Sequence, residues 1–224
     1  MTVDKVEVRP VEFQAERGHG PGTVTLPGDL AVPPAAAGLV LFAHGSGSSR
    51  TSPRNRLVAT ALHEVSLATL LFDLLTPEES VDRRLVFDIP LLADRLLAAA
   101  RWVRGLPLVE GLPVGYFGAS TGAGAALWGA SEADPPIAAV VSRGGRPDLA
   151  GPRLPSVTAP TLLLVGELDR EVLELNRQAQ AMLGGPSELK VIPGAGHLFE
   201  EPGTLEVVAR LAAEWFGRHL RALG

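Results

Sequence analysis

From residue 39 onward, short apolar runs alternate with segments whose apolar residues recur at helical spacing, and few architectures accept that order. Residues 39–43 read Leu-Val-Leu-Phe-Ala, with no polar position, as expected of a strand buried on both faces of a sheet. A helix is predicted over 54–65, a strand over 68–73, and a long helix over 87–103, where Leu91, Leu92, Leu96, Ala99 and Val103 fall on one face. Strands follow at 114–119, 137–142, 161–166 and 189–192. They are interleaved with helices at 121–130, 171–183 and 204–220, and Gly184 is placed to cap the second of these. Residues 6–13 and 22–30 read as a leading antiparallel hairpin. The expectation is an α/β fold of three layers: a mostly parallel sheet, opened by that hairpin and covered by helices on both faces. The 25 glycines and 19 prolines punctuate short elements rather than forming a linker, so one domain over residues 1–224 is expected.

Composition removes several classes of function. Hydrophobic residues make up 46% of the chain and charged residues 20%, which is the make-up of a packed domain, not a disordered one. The net charge of -5 argues against a broad nucleic-acid or anionic-membrane footprint. There is no cysteine, so disulfides, thiolate catalysis and Cys-ligated metal sites are excluded. The first twenty residues are charged and have no apolar core of a secretory signal, which points to the cytoplasm. Neither an HExxH pattern nor any other metal-ligand spacing occurs.

In open parallel sheets, chemistry collects at the carboxyl ends of the strands. The strand at 114–119 ends in Gly118-Ala119-Ser120-Thr121-Gly122, a G-x-S-x-G sequence between an apolar strand and a helix of small residues. That context forces a tight turn holding the Ser120 hydroxyl above the sheet, with glycines where a side chain would clash. The strand at 39–43 is followed by His44-Gly45-Ser46-Gly47-Ser48-Ser49. Acyl transfer needs two backbone N–H groups aimed at the developing oxyanion. Thr121 is placed to supply one, and Ser46 or Gly47 the other. Ser46, Ser48 and Ser49 lack the turn context of a nucleophile, and His44 reads as a structural residue of its loop. Glu167-Leu168-Asp169 follows the strand at 161–166, and Pro193-Gly194-Ala195-Gly196-His197 follows the last strand. The chain order is thus serine, acid, histidine. His197 is the candidate base and Asp169 the candidate acid that orients it, with Glu167 as the alternate acid. His19, His63 and His219 have no catalytic case.

With these four segments the chain resembles an α/β-hydrolase, and more narrowly the dienelactone-hydrolase-like branch. The resemblance runs from about residue 39 onward. It implies the three-layer α/β-hydrolase fold and an acyl-enzyme mechanism that needs no cofactor and no metal. Dienelactone hydrolases proper use a cysteine nucleophile; Ser120 stands in its place here. Some relatives of this kind are fused to a phosphoribosyltransferase domain, and the hydrolase pattern leaves no room for one in these 224 residues.

The connection 143–160 is too short for a helical cap domain, so an open cleft and a small acyl substrate are expected. Arg50, Arg54, Arg143 and Arg146 fall in loops on the catalytic edge. They are candidate ligands for an anionic substrate such as a carboxylated ester or lactone. The competing role is ion pairing with Glu78, Glu79, Asp148, Glu200 or Glu201, and 18 of the 20 basic residues are arginine in any case. The segment 76–84 is a possible site wall. The leading function is a serine hydrolase cleaving a small ester or lactone. An acyltransferase or perhydrolase would use the same residues, and a non-catalytic binding module on this scaffold would be expected to lack some of them.

Overall fold

The computed structural model describes residues 6–18 and 20–220; His19 lies outside them. Its strands are β1 (Val8–Glu16), β2 (Thr23–Ala31), β3 (Gly38–Ala43), β4 (Leu67–Phe72), β5 (Val114–Ala119), β6 (Ala139–Arg143), β7 (Thr161–Gly166) and β8 (Ser187–Ile192). Its helices are α1 (Pro53–Glu64), α2 (Pro77–Ser80), α3 (Arg83–Val86), α4 (Ile89–Arg104), α5 (Thr121–Glu132), α6 (Arg170–Met182) and α7 (Thr204–His219). All eight strands form one sheet in the order β1-β2-β4-β3-β5-β6-β7-β8. β1 and β2 are the antiparallel hairpin, β2 also runs antiparallel to β4, and the six strands from β4 to β8 are mutually parallel.

Period-two alternation divides each central strand between two cores. Leu39, Leu41 and Ala43 of β3 face one side, where Leu92, Leu96, Ala99 and Val103 of α4 and Ala125 and Ala126 of α5 pack. Val40 and Phe42 face the other, against Val58 and Leu62 of α1 and Val208, Ala212 and Phe216 of α7. Each such leucine, fully buried, contributes about 1.5–3 kcal/mol relative to exposure. α5 is a weak helix former by composition, with Gly122, Gly124 and Gly129 in it. Its small residues let it lie against the sheet, and that packing offsets its poor propensity.

Two local expectations differ from the structure, at α4 and Gly184, and one connection carries turns that the sequence did not show. α4 starts at Ile89, two residues late, because the Asp88 side chain accepts the Leu91 N–H and Pro90 fits only the first turn, leaving Phe87 outside. The connection between β6 and β7 contains 3-10 turns over Pro147–Ser156 that bury Ala150 and Leu154 against α5 and α6. Gly184 is not the cap of α6, a position held by Leu183. It is glycine because a Cβ there would lie 2.1 Å from the Pro155 carbonyl oxygen.

Register brings the ends of the parallel strands together. Ala43 pairs with Gly118, Ala119 with Arg143, Arg143 with Leu164, and Gly166 with Ile192. The residues that follow these ends therefore meet along one edge. Among the described residues, no helix is long and apolar enough to cross a membrane.

Candidate active site

Ser120 is held at φ 50° and ψ -121°, a conformation costing a non-glycine residue about 1–3 kcal/mol. Its neighbours make the turn possible. A Cβ on Gly122 would lie 2.2 Å from the Ala43 carbonyl oxygen and 2.5 Å from that of His44, and one on Gly118 would lie 2.5 Å from Ala123 Cα. Neither site admits a side chain, so the helix starts directly over β3. The turn is also braced from β6. Ser120 N–H donates to the Arg143 carbonyl (3.2 Å), and Arg146 N–H donates to the Ser120 carbonyl (3.0 Å).

The loop after β6 reaches the histidine as well. Gly144 N–H donates to Leu164 O (2.7 Å), and a Cβ on Gly144 would stand 2.9 Å from the His197 carbonyl oxygen and 3.7 Å from its Nδ1. One short segment thus contacts both Ser120 and the His197 loop. Asp169 Oδ2 lies 2.6 Å from His197 Nδ1. A carboxylate there makes Nδ1 the protonated nitrogen, leaving the Nε2 lone pair free to take a proton. Asp169 is the residue before α6, yet its side chain makes no capping bond to that helix. Glu167, the alternate acid, is turned away to accept the Gly194 N–H (2.9 Å). Glu201 accepts the Gly196 N–H (3.0 Å), so the turn carrying His197 is held by two carboxylates.

Across the cleft, His44 acts as a tie. Its Nδ1 donates to Gly45 O (3.0 Å) and its Nε2 accepts the Leu74 N–H (3.1 Å), joining the ends of β3 and β4. The second contact requires neutral imidazole, and burial pulls its pKa below 6.5 against smaller opposing effects of the Gly45 bond and Asp73. Ser46 and Thr121 meet, but not as two free amides: Ser46 N–H donates to Thr121 Oγ1 (3.0 Å). Ser46, Gly47, Arg54 and Thr121 border a cleft of about 670 Å³, whose wall includes Pro77 and Ser80 of the segment expected there; Ser120, Asp169, Arg143 and His197 are not among the residues that line it. That wall is anchored by a buried ion pair, Arg95 Nη2 to Glu79 Oε1 (2.8 Å).

The four candidate arginines separate. Arg50 pairs with Asp73 and lies 3.9 Å from Asp29. Arg146 forms a two-pronged pair with Asp148 (2.8 and 2.7 Å), and Arg54 reaches Glu200 (3.3 Å). Arg143 is 8% exposed, and among the described residues its guanidinium has no carboxylate partner; its Nη1 is buried with no acceptor. Burial, and secondarily the neighbouring Arg54 charge, pull its pKa down to about 10, so it stays charged at neutral pH.

Asn176 was not expected. From inside α6, with no exposed surface, its Nδ2 donates to Gly145 O (2.9 Å) and Val172 O (2.7 Å). Among the described residues, no group of three or more His, Asp or Glu side chains is placed to hold a metal.

No family model matches the chain. The crystal structure of a dienelactone hydrolase from Anabaena variabilis does: it is 53% identical, covers 96% of this chain and 99% of its own, and superposes with a TM-score of 0.88. The chain belongs to the dienelactone hydrolase family. Further solved structures share the fold with this family member at low identity. They include Est1E from Butyrivibrio proteoclasticus (15% identity, 93% of this chain and 98% of that one, TM-score 0.76). The esterase domain of a Rhodothermus marinus protein is another (19% identity, 96% and 99% coverage, TM-score 0.75). Two Mycobacterium tuberculosis proteins, provisionally named phosphoribosyl transferases, are 61% identical over 199 residues. This dienelactone hydrolase family member matches them over 89% of its own length but spans only 45% of theirs.

Proposed function

We propose that this chain is a serine hydrolase that cleaves a small ester or lactone through an acyl-enzyme. The observation that carries it is the 2.6 Å contact of Asp169 with His197 Nδ1, beside the loop that also holds the strained Ser120. In this reading Ser120 Oγ attacks the carbonyl carbon while its proton passes to His197 Nε2. The tetrahedral intermediate then collapses, the C–O bond to the alcohol breaks, and His197 returns the proton to the leaving oxygen. Water attacks the acyl-enzyme, giving its proton to His197. On collapse the acid leaves and Ser120 regains its proton. Asp169 holds the imidazole tautomer and stabilises the imidazolium. The Thr121 N–H, at the start of α5 where the helix leaves amides without carbonyl partners, faces the oxyanion. In a lactone the leaving oxygen stays attached and one hydroxy acid is released.

The substrate class follows from charge. Arg50, Arg54 and Arg146 have carboxylate partners, and Arg143 has none, so Arg143 is the group proposed to receive a carboxylate on the substrate. A cleft of about 670 Å³, bordered by Thr121 next to Ser120, leaves room for a compact acyl compound. The test is reaction with a fluorophosphonate probe, peptide mapping of the labelled residue, and turnover of a panel of esters and lactones. Label on Ser120, lost in His197→Ala, with turnover of the panel, supports the reading. A folded protein that takes no label overturns it.

A further inference from the structure

The Ser46 amide does not point into open cleft; it donates to the Thr121 hydroxyl at 3.0 Å, across 75 residues of sequence. A hydroxyl that accepts one hydrogen bond still has its own hydrogen to give. Other helical hydroxyls of the chain spend theirs on local carbonyls: Thr60 on Arg56 O, Ser131 on Trp128 O and Thr204 on Glu201 O. The Thr121 hydrogen has no such acceptor among the described residues. Thr121 is 4% exposed, so bulk water does not readily take that place. The position is also informative. Thr121 follows Ser120 directly, and Gly45, adjacent to Ser46, packs so closely on the turn that a Cβ there would meet Ser120 Cβ at 3.0 Å. The hydroxyl lies between the β3 loop and the nucleophile and borders the cleft together with Ser46 and Gly47.

We propose that the Thr121 side-chain hydroxyl is a catalytic oxyanion donor that relays the Ser46 amide: Ser46 N–H to Thr121 Oγ1, and Thr121 O–H to the substrate oxyanion. This rests on Ser120 being the nucleophile. Thr121 then gives two hydrogen bonds to one developing charge, from its backbone N–H and its hydroxyl. The amide dipole of Ser46 strengthens the second by polarising the O–H bond. The alternative is that the hydroxyl merely occupies the Ser46 amide and must leave before the oxyanion forms. The two schemes predict opposite effects of removing it.

The experiment compares Thr121→Val, which keeps the shape and loses the hydroxyl, with Thr121→Ser, which keeps the hydroxyl, using 4-nitrophenyl acetate as probe. The relay predicts a kcat about 100-fold lower in Thr121→Val, as for loss of one oxyanion donor, with KM changed less than about twofold. Thr121→Ser should stay within a few-fold of the parent. Affinity for an alkylboronic acid, whose adduct on Ser120 places an oxygen in the same position, should fall in Thr121→Val and recover in Thr121→Ser. Thermal unfolding of both variants verifies folding, and Thr121→Ala replaces the valine variant if that one does not fold. Turnover in Thr121→Val equal to or faster than the parent overturns the relay. Absence of fluorophosphonate label on Ser120 in the parent would overturn the serine-hydrolase reading itself, so the two failures are distinguishable.

Discussion

Asn176, in the middle of α6, donates its side-chain amide to the carbonyl of Gly145, 2.9 Å away, in the loop that braces the Ser120 turn. Two residues to one side, the carbonyl of Arg143 takes the Ser120 N–H; one residue to the other, the Arg146 N–H reaches the Ser120 carbonyl. A strained turn persists only where its surroundings over-determine it. Here those surroundings are a loop pinned from behind by a helix that makes no direct contribution to the cleft.

Asn176→Ala should therefore act on both stability and rate. It leaves the Gly145 carbonyl buried without its donor, a loss of about 1–3 kcal/mol. It also lets the Ser120 turn drift, and small misplacements of a reacting group cost up to about 100-fold in rate. The expected result is a lower urea midpoint together with a kcat reduced about tenfold or more at nearly constant KM. A fall in stability with unchanged kcat would confine Asn176 to a structural role.

Much of this was legible in the sequence, and the exceptions share a cause. β3, β5 and β7 were readable because strands covered on both faces are apolar without interruption. The helix 87–103 was readable because its apolar residues repeat on one face, although Asp88 and Pro90 shift its start. The turns over Pro147–Ser156 were not readable, since three prolines and a glycine look like plain loop. The partners of the arginines were the least accessible. Arg146 with Asp148 and Arg54 with Glu200 draw on acids already suspected, but Arg50 is held by Asp73 and Asp29, which lie on other strands or at their ends. Which charges meet depends on distances across the sheet, and no local pattern encodes those. Asn176 did leave a trace: with Val172 and Ala179 it occupies the buried stripe of an otherwise polar helix.

The competition between two acids is settled by substitution. Asp169→Asn should lose most activity, because an amide at this position can present its N–H₂ and turn the imidazole to the wrong tautomer. A drop of about 10³–10⁴-fold in kcat is expected from the same change in serine proteases. Glu167→Gln should retain most of it, since an amide oxygen still accepts the Gly194 N–H. Measured kcat values in the reverse order would assign the acid role to Glu167.

Arg143 should separate binding from folding. Arg143→Gln is expected to raise KM for 4-nitrophenyl hemisuccinate by about 10- to 100-fold, the worth of a charge-assisted hydrogen bond of about 1.5–3 kcal/mol. KM for the neutral 4-nitrophenyl butyrate should barely move. Arg143→Met should leave the melting temperature unchanged or raise it, because a buried charge without a counter-ion is costly to the folded state. Arg50→Ala, which breaks the Asp73 pair, should instead affect both substrates alike. Equal KM changes for the two esters in Arg143→Gln would remove the carboxylate from the proposed substrate.

His44 makes stability depend on pH with a definite sign. In the fold its Nε2 must accept the Leu74 N–H, which a protonated ring cannot do, and burial holds its pKa below 6.5. The unfolded chain protonates His44 near the ordinary value of about 6.5. Above that pH neither state holds the proton, and the His44 contribution to stability is complete. Below it the unfolded state binds the proton first, so stability falls with falling pH until the folded-state pKa is passed. Each proton taken up on unfolding gives a slope of up to about 1.4 kcal/mol per pH unit. His63, whose pKa burial also lowers, adds in the same direction. Urea unfolding at pH 7.5, 6.5 and 5.5 should therefore show the parent losing stability in the lower interval more steeply than His44→Gln. Parallel lines for the two proteins would mean that His44 takes up no proton on unfolding, and that the tie between β3 and β4 does not depend on a neutral ring.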